Sequence, residues 1–320
     1  MERLSITKTS WMFAIYFAIY MVLAFLVRFF LPEDAPIVFV LTLSSIVLLV
    51  PIFLILGVLR LDPRNFLGRT KFTLVDILWS ILAAYCVLPV MYVINLTTMM
   101  FHAQNHVNGI LTELVEYPLL LQILLMAVLP AASEEFIFRG VFYGSYRRRN
   151  YLGAAVISGL FFGLMHMNIN QACYAFVLGI LFSFFYEAIG NLWGTIIAHT
   201  TINLGSVLGM NMLSYAEEIG LVDPTEAAAG MEAANNGFSS AEMVAVKGAV
   251  IFLSFVAILG LFFFYQILRH LAKTHGRLEY FEAIFKERGV YHDAVEGKFL
   301  SPALAVAVVP AFILMILSEL

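Results

Sequence analysis

Apolar runs of about 20 residues recur along most of the chain, each broken by a short polar stretch. Such a run crosses roughly 30 Å of hydrocarbon as a helix rising about 1.5 Å per residue. The pattern predicts nine spans, at 11–31, 37–59, 77–101, 118–143, 151–167, 171–188, 190–213, 247–268 and 302–319. The expected fold class is therefore all-α: a polytopic transmembrane helical bundle of about eight or nine spanning helices, since only helices and closed barrels satisfy their backbone polar groups in lipid. The first run follows Arg3 and Lys8 in the manner of a signal peptide. It is longer than an h-region of about 7–15 residues and no small-residue cleavage site follows, so it reads as the first span.

The polar interruptions are sorted by charge. Arg60, Arg64, Arg69 and Lys71 follow the second span, Arg147, Arg148 and Arg149 the fourth, and Arg269, Lys273, Arg277, Lys286, Arg288 and Lys298 the eighth. The opposite loops, 102–117 and 214–243, hold no lysine or arginine but include Glu113, Glu116, Glu217, Glu218, Asp223, Glu226, Glu232 and Glu242. Basic loops stay cytoplasmic, so the N-terminus is expected inside and the C-terminus outside. Arg28 and Lys247 lie toward the outer ends of their spans, where long cationic side chains snorkel to the interface. Segment 214–243, rich in Ala, Glu, Asn, Gly and Ser, reads as a flexible or partly helical external loop. Segment 269–300 reads as an amphipathic stretch on the inner leaflet.

Composition strengthens the membrane reading. The 320 residues are 62% hydrophobic and 12% charged, about half the charged fraction of a soluble domain. A net charge of −4 with the bases confined to loops leaves no stripe for nucleic acid, which is set aside as a partner. Cys86 and Cys173 lie inside apolar runs without paired spacing and are expected to be small buried hydrophobes. There is no internal repeat. The chain divides into N-terminal helices (1–117), a central core (118–213), and an external loop with C-terminal helices (214–320).

Ionisable groups inside a spanning helix cost several kcal/mol on insertion scales, about 3 kcal/mol each, and so mark function by default. Glu134, Glu135 and Arg139 lie in the fourth span within PAASEEFIFRG, His166 ends the fifth within FFGLMHMN, and His199 and Asn203 lie in the seventh within IIAHTTIN. Glu187 is also flanked by apolar residues, but its place near the inner boundary leaves solvation and burial equally open. Glu135 and Arg139 are four apart, the spacing and order of a favourable ion pair, while Glu134 is turned about 100° away and left available. His199 and Asn203 share a face by the same spacing, and Phe162 falls beside His166. At about 1.5 Å per residue Glu134 and His199 fall near the midplane and His166 roughly 9 Å toward the outer side, with Pro130 able to kink the fourth helix.

Two histidines, two glutamates and an amide in a low-dielectric cavity suit peptide hydrolysis. A carboxylate there takes a proton from water and passes it on, and a histidine or the Asn203 amide donates to the oxyanion. Alternatively Glu134, His166 and His199 ligate a zinc that acidifies its bound water, although no HExxH helix gathers ligands and base locally. A metal-independent mechanism stands equally open. Against both stands a packing role, since membrane histidines often serve as hydrogen-bond partners between helices and a Glu–Arg pair can simply fix packing. Six such groups in three spans are hard to justify by packing alone. Met165 and Met167 beside His166 read as core or lipid-facing rather than as soft-metal ligands.

The motifs SEEFIFRG, FGLMH and HTTIN, read as EExxxR, FxxxH and HxxxN, stand in the order found in the CPBP family, the CAAX-protease and bacteriocin-processing enzymes of the ABI type. The chain resembles that family over about residues 118–208, including AIGNLWGTIIAHTTIN before the second histidine. The resemblance implies an intramembrane endopeptidase, as an integral protein of a bacterial plasma membrane. Its partners would be a peptide or lipidated protein substrate in the membrane, CAAX-like or other, and the membrane lipids. By motif, Glu134 would be the general base, Glu135 and Arg139 its supports, His166 a second polar wall or ligand, and His199 and Asn203 the oxyanion holders. Members are often labelled metalloproteases, which the zinc alternative would satisfy. Two rivals make different demands: a non-catalytic scaffold or immunity protein has no need of intact motif residues, and a proton-coupled transporter predicts repeated halves, which are absent.

Overall fold

A computed structural model describes residues 5–32, 34–101, 107–225, 238–285 and 301–317. Among the described residues the chain is helical and forms no strand. The helices are α1 (Ile6–Phe30), α2 (Ile37–Val58), α3 (Leu74–Met99), the short α4 (Val107–Leu114), α5 (Leu119–Tyr146), α6 (Tyr151–Leu164), α7 (Ile169–Ile189), α8 (Leu192–Glu218), α9 (Ser240–Thr274), the short α10 (Leu278–Ala283) and α11 (Pro302–Leu317). This is the polytopic bundle of an integral membrane protein.

Every expected span coincides with a helix. Among the described residues six helices are long and apolar enough to cross a membrane by length and composition: α1, α2, α3, α5, α7 and α9. With 14 residues α6 reaches only about 21 Å, and the described part of α11 has 16. α8 has the length, at 27 residues, but not the apolarity. It packs against α3, α5 and α7, so its polar side chains meet protein rather than lipid. The external loop is also shorter than expected, because α8 runs on through Glu218 and α9 begins at Ser240; residues 226–237 lie outside the described residues. Of the expected inner amphipathic stretch, α9 continues to Thr274 and α10 follows, while 286–300 lie outside the described residues. Cys86 and Cys173 are free thiols, half-buried rather than fully buried.

Local chemistry sets the helix starts around the polar core. Asn150 accepts from the N–H of Gly153 at 2.6 Å to begin α6, Asn168 from Gln171 at 2.9 Å to begin α7, and Asn191 from Trp193 at 2.9 Å to begin α8. Each satisfies an N–H that the first helical turn leaves without a partner. α5 is not a regular helix: Ile123–Val128 and Phe136–Tyr143 are π-helical, with α-helical Leu129–Glu135 between them. Pro130 opens that middle segment, where its missing N–H interrupts the ladder. The two glutamates thus sit between two widened turns, an irregularity that recurs at functional sites.

Two apolar clusters hold the bundle. One joins α1, α2, α5 and α6, with Phe13 stacked on Phe161 at 3.5 Å between ring centroids and Phe142 edge-on to both. The other joins α3, α7, α8, α9 and α10 around Phe182, Phe185, Phe264 and Phe281. α6 and α7 cross at glycine: a Cβ on Gly179 would stand 2.5 Å from the Cα of Gly159. This approach of two backbones sets the end of α6, and hence His166, against α7. Gly179→Leu is expected to destabilise the fold by about 1–3 kcal/mol through overpacking, read as a lower melting temperature in detergent. An unchanged melting temperature would show that the crossing is not tightly closed.

Candidate active site

The polar groups gather where the two clusters meet. Glu135 and Arg139 are fully buried, with Glu135 Oε1 3.1 Å from Arg139 Nη1. That contact is an ion pair by distance but not an aligned hydrogen bond, and among the described residues no guanidinium nitrogen of Arg139 has a hydrogen-bond partner. The guanidinium lies instead over Phe162 at 4.3 Å and Phe182 at 5.4 Å, where the ring faces attract a cation. Glu135 Oε1 also accepts from His199 Nδ1 at 3.0 Å. The His199 ring is held between the same two phenylalanines.

The second ring nitrogen of His199 faces the other glutamate: Nε2 stands 3.6 Å from Glu134 Oε2. The Glu134 side chain is 18% exposed while that of Glu135 is 0% exposed, so one carboxylate meets the cavity and its neighbour anchors the scaffold.

Glu134, His166, His199 and Asn203 line one cavity of about 320 Å³. Glu135 and Arg139 do not. His166 lies just beyond the end of α6 rather than within a helix, and its Nδ1 bonds the Phe162 carbonyl at 2.8 Å. A carbonyl only accepts, so Nδ1 carries the proton and Nε2 presents a lone pair when the ring is neutral. Phe162 meets the ring edge-on at 4.9 Å. The next residue, Met167, adopts a left-handed φ of 51°, turning the chain into the Asn168 cap of α7.

Among the described residues no three His, Cys, Asp or Glu side chains converge as ligands of a metal ion.

The other wall of the cavity has no counterpart in the sequence reading. Tyr20 of α1, Leu41, Ser44, Ser45 and Leu48 of α2, and Met91 of α3 line the same cavity as Glu134 and the two histidines. Ser44 and Ser45 bond back to carbonyls one turn earlier in their own helix, which leaves them legible only as ordinary residues of an apolar run. The sequence leaves Glu187 open between solvation and burial, and the structure buries it. It accepts from Tyr143 Oη at 2.9 Å, and is paired with Arg147 and Arg277.

Comparison with known proteins places this geometry in context. Residues 116–205 match the family described as Type II CAAX prenyl endopeptidase Rce1-like. Over 84 residues the chain is 30% identical to the putative membrane peptidase YdiL of Bacillus subtilis (strain 168), covering 26% of this chain and 34% of that protein. The chain thus spans about a third of the length of the curated relative it matches. No solved structure matches.

Proposed function

With an Rce1-like segment at residues 116–205 as premise, we propose that this chain is an intramembrane endopeptidase acting on membrane-associated peptide or lipidated protein substrates. The observation that carries the reading is the single cavity onto which Glu134, His166, His199 and Asn203 all open. The matched relative is itself described as a membrane peptidase. The basic loops suit a cytoplasmic N-terminus.

In this mechanism Glu134 is the general base. It takes a proton from a water in the cavity as the water oxygen attacks the scissile carbonyl carbon, and later delivers that proton to the leaving amine. His199, held by Glu135 through Nδ1, turns Nε2 toward the reacting centre and in its protonated form donates to the developing oxyanion. The Asn203 amide, one turn along α8 on the same cavity wall, supplies a second donor. Arg139 balances the Glu135 charge and keeps that carboxylate available to orient His199. His166 closes the cavity as a polar wall with its tautomer set by the Phe162 carbonyl.

The test is cleavage of a membrane-peptide library by purified protein in liposomes, comparing wild type with Glu134→Ala and His199→Ala, with and without chelator. Cleavage by wild type, its loss in both variants and indifference to chelator are expected. Loss of activity on chelation would overturn the metal-free mechanism. A well-folded wild type that cleaves nothing would overturn the peptidase reading in favour of a scaffold.

A further inference from the structure

Away from the cavity, α9 ends in a stripe of unusual composition. Gln266, Arg269, His270 and Lys273 are spaced i, i+3, i+4 and i+7, which puts all four on one helical face. With Leu278 of α10 they line a pocket of about 250 Å³. Two like charges four residues apart repel on a helix, yet little compensates them. Glu282 stands 4.0 Å from Arg269, whose side chain is 54% exposed, and Lys273 has no ion pair among the described residues. At the same end of the bundle Arg147 and Arg277 are paired with Glu187, and Arg64 with Asp62.

We propose that this pocket binds the phosphate-bearing headgroup of an anionic phospholipid. Depth argues for a lipid. Phe262, Phe263 and Tyr265 of α9 are exposed apolar residues just before the stripe. Arg269 and Lys273 follow Tyr265 by four and eight residues, or about 6 and 12 Å of helix, which spans the polar layer of roughly 5–8 Å outside each face of the hydrocarbon and its aqueous edge. The Trp79 ring lies against His270 at 4.9 Å, and tryptophan concentrates at that same level. The chemistry of the pocket suits phosphate: a planar guanidinium fork, an ammonium and an amide donor point to one place. The backbone that carries these side chains is anchored, because His275 Nε2 bonds Asp76 Oδ1 at 2.9 Å and so ties the end of α9 to the start of α3.

The site stands independently of the peptidase reading. Its test is native mass spectrometry of the full chain extracted from nanodiscs of phosphatidylcholine with phosphatidylglycerol. The wild type is compared with Arg269→Gln/Lys273→Gln and with a control of equal charge, Arg69→Gln/Lys71→Gln. Phosphatidylglycerol retention is expected to weaken roughly 30-fold in the first variant, from the contribution of two cations at a membrane surface, and to hold in the control. Equal retention by wild type and the Arg269/Lys273 variant, or equal loss in the control, would overturn the site. Displacement of the lipid by millimolar inorganic phosphate would overturn the lipid assignment in favour of a soluble phosphate.

Discussion

Glu134→Gln is expected to lower turnover of a cleaved membrane peptide by roughly 10²–10⁴-fold, the range for loss of a general base. KM should stay within a factor of about three, since the amide preserves the shape of the cavity wall. The neighbouring Glu135→Gln should behave differently, although the two residues are adjacent and chemically identical. Glu135 is fully buried, holds His199 Nδ1 and faces Arg139. Neutralising it strands a guanidinium that already lacks hydrogen-bond partners, a loss on the order of 3–5 kcal/mol for a broken buried pair. Glu135→Gln should therefore lower the melting temperature as well as the rate, while Glu134→Gln, at the cavity face, lowers the rate alone. Initial rates and melting curves on the same preparations separate the two. Retention of wild-type turnover by Glu134→Gln would remove that residue from the base role.

The contrast between these glutamates shows which features the sequence encodes legibly. An ion pair at i, i+4 is local information: Glu135 and Arg139 were readable from spacing alone, and Glu134 was marked as the available neighbour because it is one residue out of register. The position of every span was legible for the same reason, since lipid demands long apolar runs. Which runs cross the membrane was less legible. α8 owes its polar residues to the protein neighbours that surround it, and those neighbours are α3, α5 and α7. Neither the π turns of α5 nor the exit of His166 from α6 leaves a period in the sequence. The far wall of the cavity, with Tyr20 and Ser44, is built from uncharged residues of apolar runs and so attracts no notice. The sequence leaves Glu187 undecided because its partners Arg147 and Arg277 are 40 and 90 residues away, and no spacing rule connects them.

That buried cluster supports the second large effect. Glu187→Ala is expected to destabilise the protein by about 3–5 kcal/mol, the range for removing one member of a buried ion pair. The carboxylate accepts from Tyr143 Oη and is shared by two guanidinium groups; Arg277 Nη2 donates to it at 2.9 Å, and Arg277 Nε donates to the Glu187 carbonyl at 2.7 Å. Gly190 makes room for this: it caps α7 with a φ of 71°, and a Cβ there would stand 2.7 Å from the Arg277 side chain. Alanine at 187 would leave two guanidinium groups close together with no counter-charge. Because the cluster links the end of α5, the end of α7 and the turn after α9, the loss should appear as a lowered melting temperature of the whole bundle. Glu187→Gln keeps an acceptor for Tyr143 and should lose less. Arg277→Met in the Glu187→Ala background removes one stranded cation and should recover part of the loss, so the double-mutant cycle gives a coupling of the order of 0.5–3 kcal/mol. Below its lowered melting temperature Glu187→Ala should retain wild-type kcat on a cleaved peptide. A fall in kcat with the fold intact would instead tie Glu187 to the chemistry, and an unchanged melting temperature would show that the cluster contributes nothing to stability.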